Sequence, residues 1–147
     1  MKLRQGGFLI AKIHQASGRI FATILRENRI DFNPAEGRIL FALWNGDKIP
    51  IQELARRTQL GKSPLTSMLD RLEGSGHIRR VPSPDDRRVL LIELTEKDMG
   101  LREQYVQVSR EMTELFYDGF SPKEIEEFEG YLERILANIT CVDSMRP

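Results

Sequence analysis

The stretch from Lys62 to Thr95 constrains this chain more than any other. It opens Lys-Ser-Pro-Leu-Thr-Ser-Met-Leu-Asp-Arg-Leu-Glu, passes through Gly-Ser-Gly-His-Ile, and runs through Arg-Arg-Val-Pro-Ser-Pro-Asp-Asp-Arg-Arg into Val-Leu-Leu-Ile-Glu-Leu-Thr. Leu65, Met68, Leu69 and Leu72 recur at helical spacing, so a short helix opened by Ser63-Pro64 has one apolar face and stops at Gly74 and Gly76. The β-rich segments 78–81 and 88–94 flank Pro82-Ser83-Pro84-Asp85-Asp86, which marks a two-stranded ribbon with a proline-bearing tip.

The remaining segments read as helices. Ile10, Ile13, Ile20 and Ile24 lie on one face of a long helix over residues 8–29. Asn33-Pro34-Ala35-Glu36 is a helix start with a cap residue, proline at the first helical position and glutamate three residues on. Its helix carries Ile39, Leu40, Leu43 and Trp44 and stops near Asn45-Gly46; a short one follows from Pro50 to Thr58 with Leu54 and Ala55 inward. Thr95, with Asp98 three residues later, opens a long helix bearing Leu101, Tyr105, Val108, Met112 and Leu115. Ser121-Pro122-Lys123-Glu124 starts the last, in which Ile125, Phe128, Leu132, Ile135 and Ile139 alternate steps of three and four, as a coiled-coil-like seam does. The fold class is mainly α with a small β-wing: a winged helix-turn-helix core flanked by long N- and C-terminal dimerisation helices. Residues 1–32 and 96–147 are expected to form the helical dimerisation region, and 33–95 the winged helix-turn-helix domain. The long terminal helices cannot all bury their stripes on so small a centre, so they are expected to pack on those of a second chain. A monomeric bundle sharing one core is the alternative.

Charge distribution matters more than total charge. The net charge is zero, yet residues 48–92 hold nine Lys/Arg against five Asp/Glu, while residues 93–147 hold six against thirteen. Attraction to phosphate is local, screened within about 10 Å, so a basic centre suits nucleic acid even in a neutral chain. No apolar run approaches the roughly 18 residues of a membrane span. The basic N-terminus is followed by no cleavable apolar segment, and Cys141 is the only cysteine, which fits a reducing cytoplasm.

A short hydroxyl-rich helix fits the major groove of DNA, and an arginine at a ribbon tip reaches the narrow minor groove beside it. Ser63 is expected to cap the reading helix, and Pro64 costs no hydrogen bond there. Thr66, Ser67 and Asp70 face away from the apolar stripe, and Lys62 and Arg71 bracket the helix as phosphate partners. Arg87 is the expected minor-groove residue, its guanidinium held by Asp85 two positions earlier; Arg79, Arg80 and Arg88 surround it as phosphate neutralisers. For each side chain the plain alternative is a cap, a solvent-facing hydroxyl or a surface ion pair.

The chain resembles the MarR-family transcriptional regulators, winged-helix repressors and activators. The resemblance rests on the Leu54-Ala55 helix, Ser63-Pro64-Leu65-Thr66, Leu69-Asp70-Arg71-Leu72-Glu73, the Gly76-His77-Ile78 turn, Asp85-Asp86-Arg87-Arg88 and Leu94-Thr95-Glu96-Lys97, in that order and spacing. It implies a homodimer built from the first, fifth and sixth helices, the fourth helix in the major groove, and an Asp85-x-Arg87 wing in the minor groove. It also implies a repressor on a palindromic operator, released when a small aromatic or anionic molecule binds between the dimer region and the reading head. The family's peroxide-sensing branch carries its reactive cysteine near the N-terminal helix, where this chain has none, so Cys141 reads as an incidental thiol or a packed small residue.

Other chemistry finds little support. His14 and His77 lie far apart in sequence, no Cys/His cluster has metal-ligand spacing, and no glycine-rich phosphate loop occurs, so neither cofactor, metal nor catalytic residue is expected. Glu124, Glu126, Glu127 and Glu129 read as a solvated face. His14, Phe21, Trp44 and Phe116 are candidates for an effector pocket, with core packing as the alternative. The competing reading of the whole chain is a winged-helix protein-interaction module that does not bind DNA.

Overall fold

Local chemistry starts the second helix where its sequence says it should. In the computed structural model, which describes residues 1–146, the Asn33 side chain accepts from the Glu36 N–H at 2.8 Å and Glu36 accepts from the Asn33 N–H at 3.4 Å. That reciprocal cap satisfies two otherwise orphaned donors around Pro34. In chain order the elements are α1 (Gly6–Glu27), α2 (Pro34–Trp44), β1 (Ile49–Pro50), α3 (Ile51–Thr58), α4 (Lys62–Gly74), β2 (Ile78–Pro82), β3 (Leu90–Leu94), α5 (Glu96–Met99), α6 (Arg102–Phe116) and α7 (Pro122–Asp143). The chain is mostly helical with one small antiparallel sheet, the winged helix-turn-helix class that the patterning predicts.

Two compact units divide it, Met1–Arg110 and Glu111–Pro147. In the first, Leu25 of α1, Ile39, Leu40 and Leu43 of α2, Leu54 of α3, and Leu65, Leu69 and Leu72 of α4 are each no more than 1% exposed. Removing each of these side chains from water contributes about 1.5–3 kcal/mol before entropy is set against it. In the second unit Tyr117 packs against Phe116, Phe120 and Phe128 with T-shaped ring geometry. Ser121 caps α7 in a second reciprocal box with Glu124.

Two expectations about elements need correcting. The two-stranded ribbon forms, β2 pairing antiparallel with β3 from Ile78–Leu94 to Pro82–Leu90, but it does not stand alone. β1 pairs with β3 through Ile49–Ile92 and Pro50–Leu91, giving a three-stranded sheet of order β1-β3-β2. The long helix from Thr95 is also not continuous. α5 lasts one turn, the Leu101 N–H closes on the Asp98 carbonyl at 2.9 Å, and α6 begins at Arg102. The Thr95 hydroxyl does not cap α5 but donates to the Gly76 and His77 carbonyls.

Asp98, in the first turn of α5, is turned into the core. Its side chain is fully buried, and one carboxylate oxygen accepts from the Trp44 indole N–H. The other faces His77 Nδ1 at 3.6 Å. On the far side of the ring, His77 Nε2 lies 2.8 Å from Asp31, and Lys97 Nζ reaches the second Asp31 oxygen at 3.3 Å. A carboxylate pulled inward to this group cannot also cap its own helix. His77 itself follows Gly76, whose φ of +83° turns the chain from α4 into β2.

Candidate nucleic-acid interface

α4 starts earlier than Ser63. Gly61 is its N-cap, in extended conformation, and the Gly61 carbonyl takes the first helical bond from the Leu65 N–H at 3.0 Å. Ser63 therefore lies in the first turn and caps nothing, a correction to the sequence expectation. Pro64 still costs no hydrogen bond, because the first-turn N–H groups have no helical partner. Lys62, Ser63, Pro64, Thr66, Ser67, Asp70 and Arg71 are all exposed, while Leu65, Leu69 and Leu72 point into the core. The Thr66 hydroxyl donates to the Lys62 carbonyl at 2.8 Å.

Asp70 does not stand free on this face. It holds Arg80 of β2 at 2.6 Å, and Glu73 accepts the Arg80 backbone N–H at 3.1 Å. α4 and the wing are thus joined by two carboxylates and one arginine. Arg79 pairs with Glu93 across the strands at 3.4 Å, and Glu93 also faces Lys48 at 3.8 Å. The arginines expected to gather as free phosphate partners are therefore mostly engaged within the head.

The tip is built differently from expectation. Asp86, not Asp85, is the anchoring carboxylate, and Arg88, not Arg87, is its partner. Asp86 accepts from the Arg88 backbone N–H at 3.0 Å and from its guanidinium at 3.1 and 3.2 Å. The Arg88 side chain, then its backbone N–H, hold the Asp86 carboxyl below its ordinary range. The backbone bond closes an Asx turn, and that turn brings the two side chains together. Asp85 donates its N–H to the Ser83 hydroxyl at 3.3 Å. Arg87 is exposed and forms no ion pair among the described residues.

Thr66 of α4, Arg80 of β2 and Arg88 of the tip line one open groove of about 530 Å³, together with Gln52 of α3. Sequence reasoning missed Gln52, because its position beside the wing depends on β1, a strand too short to leave a periodic signal. Of the aromatic candidates, Phe21 and Trp44 pack on Tyr105 with ring centres 5.8 and 5.1 Å away, so they belong to the core. His14 is exposed on α1, Phe116 packs on Tyr117, and Cys141 is exposed. No group of three or more His, Cys, Asp or Glu among the described residues is arranged to hold a metal ion. No described helix is long and apolar enough to cross a membrane.

The family model described as MarR matches residues 32–90. The chain is 30% identical over 107 residues to the HTH-type transcriptional regulator MhqR of Bacillus subtilis (strain 168), a match covering 72% of this chain and 73% of that protein. It is 32% identical over 95 residues to the HTH-type transcriptional regulator TtmR of Methylorubrum extorquens (strain PA1), covering 65% of this chain and 48% of the other, so it spans about half of that relative. Its backbone is similar to the crystal structure of a cysteine-to-serine mutant of MarR from E. coli complexed with operator DNA. There the TM-score is 0.80 at 27% identity, over 88% of this chain and 92% of that one.

Proposed function

Because this chain belongs to the MarR family, we propose that it is a DNA-binding transcriptional regulator, acting as a homodimer. The exposed face of α4, with Lys62, Ser63, Pro64, Thr66, Ser67 and Arg71, enters the major groove, and Arg87 enters the adjoining minor groove. Residues 33–95 carry this reading head, and 1–32 with 96–147 carry the dimer contacts. One observation supports it above the others: Thr66 shares an open groove with the wing arginines Arg80 and Arg88, while the exposed Arg87 at the tip forms no ion pair among the described residues. Side chains that approach base edges and side chains that approach phosphate thus lie next to each other.

Asp70 and Arg80 have a different part here. Their ion pair fixes the wing to α4, so that helix and tip keep one spacing along the duplex. Arg79 and Arg88 remain near phosphate but are shared with Glu93 and Asp86. A two-fold dimer presents two reading helices about one helical turn apart, so a palindromic operator follows from its symmetry. The regulatory output proposed is repression, relieved by a small aromatic or anionic molecule.

Selection of bound duplexes from a random pool tests this, followed by affinity measurements against salt. Neutralising about six phosphates predicts a loss of around 10³ in affinity between about 50 and about 200 mM salt. Repeating the measurement with aromatic acids tests the release step. Absent or salt-independent duplex binding would favour a winged-helix module used for protein contacts.

A further inference from the structure

His77 sits where three parts of the first unit meet. Its backbone N–H closes the end of α4 on the Leu72 carbonyl at 2.9 Å, and its own carbonyl accepts the Thr95 N–H at 3.1 Å. Ile78, the next residue, begins β2. The ring is fully buried and lies edge-on to Phe32, 5.5 Å between centres. Each ring nitrogen faces a carboxylate: Nε2 faces Asp31 in the α1–α2 loop at 2.8 Å, and Nδ1 faces Asp98 on α5 at 3.6 Å.

This arrangement suits only one charge state. A neutral imidazole carries one N–H, whereas an ionised carboxylate can only accept. With one proton, one ring nitrogen would turn a lone pair toward a carboxylate oxygen. His77 Nδ1 and Asp98 Oδ1 are the buried side-chain polar atoms left without a hydrogen-bond partner among the described residues. At 3.6 Å theirs is an ionic contact, favourable only if the ring is charged. Trp44 fixes the other Asp98 oxygen, so the carboxylate cannot rotate away.

We propose that His77 is a positioning residue for DNA binding: its imidazolium, gripped by Asp98 and Asp31, holds the start of the wing against α5, and duplex affinity falls as rising pH removes its proton. The proposal rests on the DNA-binding reading above. The charged and titratable groups around the ring are Asp31 from the loop and Asp98 and Lys97 from α5. Phe32 packs edge-on against the ring, and Trp44 of α2 reaches it only through Asp98. Asp98 raises the imidazole above its ordinary value most strongly, burial opposes it, Asp31 adds to the rise and Lys97 opposes it. Loss of the proton leaves the Asp98 charge buried without a counterion, and the wing's anchorage at Ile78 loosens.

The test uses the full chain. Ring-carbon NMR shifts are followed from about pH 5.5 to about pH 9, a window that histidine titration dominates, with His14→Gln assigning the two histidines. In parallel, the dissociation constant is measured at fixed ionic strength for the duplex most enriched from a random pool. His77 should titrate with a midpoint above 6.5, its ordinary value. The dissociation constant should stay level below that midpoint and rise above it by up to about tenfold per pH unit, the ceiling for loss of a single proton. Asp98→Asn keeps an oxygen for the indole but removes the charge, and should move both midpoints to lower pH together. A ring that stays neutral throughout, a titrating ring with pH-independent affinity, or an Asp98→Asn variant with unmoved midpoints would each overturn the proposal. If no duplex is enriched at any pH, the DNA-binding reading fails and this one with it, whereas binding that ignores pH leaves that reading intact.

Discussion

Asp86 and Arg88 close on each other at the wing tip, and the consequence falls on Arg87. With its neighbour's guanidinium occupied at 3.1 Å and the turn locked by a backbone bond, Arg87 is the tip cation left to meet a groove. Arg87→Ala should weaken duplex binding by about 1–3 kcal/mol and reduce the preference for A·T at the operator flanks. Fluorescence anisotropy on duplexes with A·T or G·C flanks measures both effects, and unchanged affinity would remove the wing from the mechanism. The sequence made Arg87 visible but misassigned its support. Asp85 and Asp86 both lie two residues before an arginine, and only the folded Asx turn decides which pair forms. His77 carries a second prediction at this scale. Its carboxylate partners, Asp98 foremost, raise its folded value above the unfolded one. The stability it contributes is therefore fully present below the unfolded value, about 6.5, and is lost as pH rises through the folded value. Thermal unfolding of the unliganded protein should show a Tm that falls across that range, and His77→Gln should flatten the dependence.

α2 and α7 were legible because their signals are local. A cap, a proline and a glutamate within four residues need no tertiary information, and both reciprocal boxes form. β1 was illegible for the opposite reason. Two residues carry no period, and Ile49–Pro50 becomes a strand only because β3 lies alongside it. The placement of the Asp98 side chain is a tertiary effect as well. Asp98 reads in sequence as a first-turn acid on a long helix, but the Trp44 indole and the His77 ring draw it inward. The start of α4 moved by a similar margin, since the Gly61 backbone does the work that the Ser63 side chain was expected to do. The capped start of α2 therefore offers the cleaner test. Asn33→Ala removes the acceptor for the Glu36 N–H and should cost about 1 kcal/mol, a fall in Tm of about 2–4 °C for a chain of this size. Circular dichroism melts measure it, and an unchanged Tm would mean that packing of Ile39, Leu40 and Leu43 sets the helix without its cap.

At the scale of the molecule, the second unit poses the question that a single chain leaves open. It is far smaller than the size at which one core suffices, and α7 has no buried residue. Ile135, Leu136 and Ile139 are 46%, 55% and 63% exposed, and Phe120 is 51% exposed. The seam read from the sequence is present as a helix face, but what covers it is not encoded in any local signal. α1 has an unburied apolar face of its own, with Phe8, Ile13 and Ile20 at 64%, 44% and 48%. A second copy covers such faces without any change of sequence, and the proposed function needs one. Sedimentation at micromolar concentration should therefore give about twice the 17.0 kDa of the chain. Ile135→Asp combined with Ile139→Asp places charge on the seam at two exposed positions. That variant should sediment as a monomer and keep a melting transition for the first unit. Its duplex affinity should fall by about 10²–10⁴, because each reading head then binds without the effective concentration supplied by its twin. A variant that stays dimeric would place the contact elsewhere. A monomeric variant with undiminished affinity would show that one head suffices, and the argument for a palindromic operator would fail with it.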